Sequence, residues 1–159
     1  MHALRLVVWR LAAPEFARAP GGVLSGEGAR RYGGRWNNPG RAAVYLADSL
    51  ALAGMELLVH LGNAAVLRTY RKMPVYIPEE LVMHIKAAEL PPEWETGSRA
   101  ITRAIGDRWL AQGQSAVLQV PSAVVLGESN FIVNPNHPDF PAIKAGPITD
   151  FRYDPRLAE

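Results

Sequence analysis

Glu56 lies within Leu50 to Leu61, where Leu50, Ala51, Leu52, Ala53, Met55, Leu57, Leu58, Val59 and Leu61 place apolar groups around nearly every helical face. Burial disfavours an ionised carboxylate unless a cation or hydrogen-bond donors compensate, so Glu56 needs partners. His60, one turn later on the same face, is one candidate, and an arginine of the glycine-rich segment upstream is another. Such a pair can be purely structural, and a Glu and a His four apart can also be two metal ligands. The full zincin pattern and an Asp-rich calcium loop are both absent, so no metal is assigned. The upstream segment, Gly33-Gly34-Arg35-Trp36-Asn37-Asn38-Pro39-Gly40, joins backbone freedom to a cation, an aromatic face and two amides. That mixture suits main chain closing on a ligand, although Gly, Asn and Pro also serve simply to turn. His137, in a proline-rich segment, reads as a turn residue. There is no Gly-x-Ser-x-Gly elbow, no Walker loop and no dinucleotide fingerprint opening a helix, so a dinucleotide bound here is not held in the Rossmann manner.

The elements that must position these residues follow from patterning. Leu4 to Leu11 is rich in β-formers and reads as a first strand with Arg10 at its end. Residues 19–40 hold so many glycines that the whole span reads as loop. Ala42 to Ala47 reads as a short buried strand carrying Tyr45, and Asp48 or Ser49 then caps a helix that runs to Leu61 and stops at Gly62. Apolar all round, that helix is expected to be buried. Ala65 to Tyr70, Pro74 to Ile77 and Val82 to Lys86 are strand-like. Ser98 to Gln112, capped by Ser98, carries Ile101, Ile105, Trp109 and Leu110 at helical spacing and stops at Gly113. Ser115 to Val120, Ala123 to Leu126 and Asn130 to Val133 are further short strands, and six of the thirteen prolines lie from Pro121 onward, which leaves little helix in the tail. These elements make an α/β (α+β) chain with a mixed, largely antiparallel β core and flanking helices.

With 159 residues, one domain spanning 1–159 is expected. The absence of cysteine removes disulfides, thiolate nucleophiles and cysteine-ligated zinc, and suits a reducing compartment, so the expected location is the cytoplasm. Neither a signal-peptide core nor a membrane span can be placed. Residues 1–72 carry ten Lys and Arg against four acids and residues 73–159 seven against eleven, so the net charge of +2 divides into +6 and −4. A basic first half suits an anionic ligand. It would also suit a nucleic-acid-binding module, but no nucleic-acid motif is present and only Arg30-Arg31 and Arg71-Lys72 are adjacent basic pairs there. A protein-pairing scaffold without activity is the third class.

In their order, Trp9-Arg10, Gly33-Gly34-Arg35-Trp36-Asn37, Val44-Tyr45-Leu46-Ala47, Ser49 to His60, Val120-Pro121-Ser122 and Asn130 to Asp139 resemble the RES-domain family. The resemblance spans about Arg10 to Asp139, and the spacings of ten from Arg35 to Tyr45 and eleven from Tyr45 to Glu56 make it specific. It implies a fold similar to ADP-ribosyltransferases and the toxin half of a RES-Xre toxin-antitoxin pair that degrades NAD⁺ by hydrolysis or phosphorolysis. ADP-ribosyl transfer to a protein or small molecule is the alternative. NAD⁺ is then substrate, joined by phosphate in the phosphorolytic case, and no cofactor is expected. The implied partner is an Xre-like antitoxin, with nucleic acid contacted only through that complex. The catalytic assignments are Glu56, Arg35 and Tyr45. Glu56 supports the ribose as it turns cationic, Arg10 and Arg35 hold the pyrophosphate, and Tyr45 stacks on the nicotinamide or holds its ribose. Ser122 offers a hydroxyl, with Ser129 as the competing serine. Asn130 belongs to the same NAD⁺-facing set, and Trp36 is assigned there as a lid over the base, with covering the core edge as its alternative.

Overall fold

The computed structural model describes residues 4–18 and 20–158. An eight-stranded sheet organises them: β1 (Arg5–Ala12), β2 (Val44–Ala47), β3 (Arg71–Pro78), β4 (Val82–His84), β5 (Val117–Pro121), β6 (Ser129–Val133), β7 (Lys144–Ala145) and β8 (Thr149–Asp150). The strand order is β4-β5-β6-β2-β1-β3-β7, with β8 also on β3. All pairs are antiparallel except β4 with β5. That one parallel pair requires a crossover, which α4 (Ala100–Gln112) supplies. The expectation of a mixed, largely antiparallel core with flanking helices is met.

Alternation along the strands sorts the core into two faces. Val8, Val44, Leu46, Met73, Val75, Ile77, Val117, Phe131 and Val133 form one apolar cluster, which the 20–24 segment, including α1 (Pro20–Val23), and the C-terminal tail cover through Val23, Leu24 and Ile143. The other face holds two clusters. One gathers Leu118, Val120 and Ile132 beneath Trp109 and Leu110 of α4, and the other gathers Leu11 and Ala47 beneath Leu52 and Ala53 of α3 (Leu50–Leu61).

Ser49 caps α3 by accepting from the Leu52 N–H at 3.1 Å, and Gly62 ends it. Its apolar periphery does not bury it on all sides: Leu52, Ala53 and Gly54 are buried, but Met55 is 50% and Val59 is 70% exposed. A helix lying on one sheet face has only one face to bury, whatever its composition.

Four local expectations are corrected. Residues 19–40 are not loop throughout, because α2 (Glu27–Tyr32) lies among them, with Glu27 accepting from Arg30 and Arg31 one turn later. Ala64–Thr69 is a 3₁₀ turn instead of a strand. The Asn63 carboxamide accepts from Ala65 N–H at 2.9 Å and so turns the backbone at its start. Residues 123–126 form no strand either, since Ser122 Oγ accepts from the N–H groups of both Val124 and Val125 at 3.1 Å. The second long helix begins at Ala100 instead of Ser98, whose hydroxyl accepts from the Ala100 N–H. Among the described residues no helix is long and apolar enough to cross a membrane.

Candidate active site

The two clusters on the helix-covered face meet at Asn130, which pairs in register with Ala47 of β2 and Val120 of β5. Here Glu56 comes down from the second turn of α3. Its carboxylate accepts from Asn130 Nδ2 at 2.8 Å and from Ser122 Oγ at 3.2 Å. Asn130 is itself oriented by the carbonyl oxygen of Leu46 at 3.3 Å. Ser122 is fully buried and fixed by the turn it caps. Glu56 is half-buried, and burial pushes its carboxyl above the usual carboxylate range. The Asn130 and Ser122 donors pull it back down, Glu128 pushes it further up, and the Arg35 cation lowers it. His60 is exposed and is not among these partners.

Ser129, the competing serine, leaves the opposite face of β6, one residue out of phase with Asn130, and accepts from Gln119 Nε2 at 3.1 Å. Of the two, only Ser122 bonds to Glu56.

Arg35 stands in a loop closed by a bridge between Gly34 and Asn37. Its guanidinium donates to the Trp94 carbonyl oxygen at 3.5 Å, a long contact. Burial and the neighbouring Arg99 lower its pKa, while Glu56 and Glu95 raise it, so these charges surround it without an ion pair between Arg35 and Glu56. The Arg35 guanidinium is thus half-buried with one long hydrogen bond of its own.

Tyr45 does not point a free hydroxyl at a ligand. Its oxygen accepts from Trp36 N–H at 3.0 Å and donates to Asn37 Oδ1 at 2.6 Å, and burial pushes its pKa up. Gly34 passes so close that an added Cβ would lie 2.6 Å from that oxygen, which explains the glycine. Tyr45 therefore ties the Arg35 loop to β2.

Trp36 takes the core alternative in place of the lid. It is 2% exposed and packs in the α4 cluster beside Trp94, with ring centroids 6.1 Å apart, so it roofs no ligand and fills core. Arg10 is separate from the Glu56 cluster. By alternation it shares a face with Val8 and Ala12, opposite Asn130. Beyond Trp9↔Ala47, the one residue pair joining β1 to β2, its guanidinium reaches across and donates to the Tyr45 carbonyl oxygen at 3.2 Å. Its Nε is buried with no hydrogen-bond partner.

Two open surface clefts of about 420 and 410 Å³ lie elsewhere, lined by Pro14, Ala17, Arg18, Arg71 and Ile148 and by Arg68 and residues 150–153. Neither is lined by Glu56, so the candidate site rests on converging side chains and not on the size of a cavity. Patterning missed the contribution of α4: Thr102, Arg103 and Asp107 all bond to the Arg35 loop. Its two buried polar or small positions, Thr102 and Gly106, on an otherwise apolar inner face were the available signal.

The RES domain family model matches residues 7–154. The chain is 36% identical to "Toxin Res" of Photorhabdus laumondii, covering 97% of this chain and 98% of that protein. It is 37% identical to the "Prs ADP-ribosylating toxin" of a Sphingobium species, covering 84% of this chain and 86% of that one. The Mycobacterium tuberculosis protein MbcT, named an NAD(+) phosphorylase, is 44% identical over 52 residues, 32% of this chain and 28% of that one. The crystal structure of the MbcT–MbcA toxin-antitoxin complex matches the fold with a TM-score of 0.76 at 24% identity, over 98% of this chain and 88% of that chain.

Proposed function

This chain belongs to the RES domain family, and from that premise we propose that it is the toxin of a toxin-antitoxin pair, degrading NAD⁺ by breaking the nicotinamide-ribose bond. The observation that carries this reading is the Glu56 carboxylate, half-buried yet held by two neutral donors at 2.8 and 3.2 Å with a cation close by. Nicotinamide departs with the electron pair of its bond to the ribose, leaving positive charge on the anomeric carbon. A preset anion beside that carbon favours the charged state and needs no reorganisation. Water or phosphate then bonds the carbon and loses a proton, which the raised pKa of Glu56 suits it to accept. Asn130 and Ser122 orient the carboxylate, Arg35 neutralises the pyrophosphate, and Tyr45 acts by holding the Arg35 loop. Arg10, on the opposite face of the sheet, is given no part at this site. The partner is an Xre-like antitoxin that blocks the site, and the place of action is the cytoplasm.

ADP-ribosyl transfer to a protein is the second reading, supported by the name of the Sphingobium relative. Purified protein incubated with NAD⁺, with and without phosphate, separates the acceptors by the ribosyl product formed. Glu56→Gln should lower turnover by about 10²-fold or more. Turnover unchanged in that variant, or NAD⁺ left intact by high concentrations of the native protein, rules the reading out.

A further inference from the structure

Arg35 makes little contact of its own: one long bond to the Trp94 carbonyl oxygen. Its direction therefore comes from its main chain, and α4 grips that main chain residue by residue. Thr102, 1% exposed, donates its hydroxyl to the Arg35 carbonyl oxygen at 2.6 Å and, more weakly, to its own helix at Arg99 O at 3.1 Å. Arg103 Nε donates to the Gly34 carbonyl oxygen at 2.8 Å. Asp107 accepts from Asn38 N–H at 3.0 Å and from the Asn38 carboxamide at 2.7 Å. Between these contacts Gly106 lets the helix meet the loop directly, since a Cβ there would overlap the Trp36 carbonyl oxygen. Tyr45 holds the same loop from the sheet side. The loop is thus clamped between β2 and one helix face, and the guanidinium is presented where that clamp puts it.

We propose that Thr102 and Arg103 are positioning residues that set where Arg35 meets the anionic part of the substrate. The proposal rests on the reading of Arg35 as that anion's receptor. An alcohol and a guanidinium bonded to two consecutive carbonyl oxygens do not stabilise charge themselves. They fix the loop, and displacing a binding group by even about 1 Å can cost up to 10²-fold.

Thr102→Val keeps shape and removes the donor, Thr102→Ser restores it, and Arg103→Met, at a half-buried site, removes the second grip without touching the core. The measurement is kcat and KM for NAD⁺ loss, with thermal melting to establish folding, in native and Arg35→Ala backgrounds. Thr102→Val and Arg103→Met should each raise KM about tenfold with a smaller change in kcat, as expected for lost binding of ground and transition states alike. Thr102→Ser should return KM to the native value, and neither effect should add to Arg35→Ala, because residues acting through one group are not additive. Should Thr102→Val fail to fold, Arg103→Met carries the test. A native KM in the folded variants overturns the proposal, and so does an equal rise in KM with and without Arg35. Arg35→Ala alone reports separately: if it leaves KM unchanged, the receptor reading fails, whereas a raised KM there beside native values in the α4 variants sinks only the clamp.

Discussion

At the scale of single residues, Glu56 is a half-buried carboxylate held by two neutral donors. Burial raises its pKa in the folded chain above the unfolded value, with Asn130 and Ser122 opposing. The folded protein then holds this proton more tightly than the unfolded chain does. The resulting contribution to stability is present at low pH and is lost as pH rises through the folded pKa. At neutral pH the ionised carboxylate therefore works against folding. Glu56→Gln keeps the shape but sets one acceptor and one donor against the two donors Asn130 and Ser122, so its bonding is weakened at every pH. The melting temperature of the variant minus that of the native chain should nevertheless rise as pH goes from about 4 to 7, because only the native carboxyl loses its proton. A difference independent of pH contradicts this assignment. The residue types were readable from the chain: a carboxylate in an apolar run, a cation among glycines, a tyrosine in a short strand. Their partners were not, because Asn130 and Ser122 lie 74 and 66 positions from Glu56 and meet it only across the sheet.

For the elements, α3 shows how local rules and packing divide the work. Its start and stop were legible because capping depends on neighbours in sequence: Ser49 accepts from Leu52 N–H, and Gly62 takes φ of 68°. Ser49→Ala should cost about 1 kcal/mol of stability, read as a lower urea midpoint with an unchanged slope. No loss would mean that α3 is held by packing on Leu11 and Ala47 alone. Its exposure was not legible, because an apolar surface records what a helix could bury and not how many faces the sheet leaves covered. The segments misread as strands, 65–70 and 123–126, are β-rich in composition, yet Asn63 and Ser122 capture nearby N–H groups first. The 19–40 span failed the other way, since glycine density hid the six residues of α2.

In the molecule as a whole, both apolar faces belong to one sheet, and no strand pairing joins two separate sheets. We propose on that basis that the chain unfolds as one cooperative domain. Three of the four tryptophans, Trp36, Trp94 and Trp109, lie in the cluster beneath α4 and the fourth, Trp9, in β1, so tryptophan fluorescence reports mainly the α4 part while far-ultraviolet dichroism reports every element. The two urea transitions should coincide, and separated midpoints would show that the halves melt independently. By itself the sequence determined the class of the fold, both caps of α3, the glycine that stops α4, the family and the residue types available for chemistry, all of which follow from neighbours or from ordered motifs. Tertiary structure alone decided that Ser122 and not Ser129 bonds to Glu56, that Trp36 is core, that Arg10 leaves the opposite sheet face, and that α4 grips the Arg35 loop. Those outcomes turn on strand parity and on contacts between residues up to 74 positions apart, and both are set when the sheet closes and its helices settle on it.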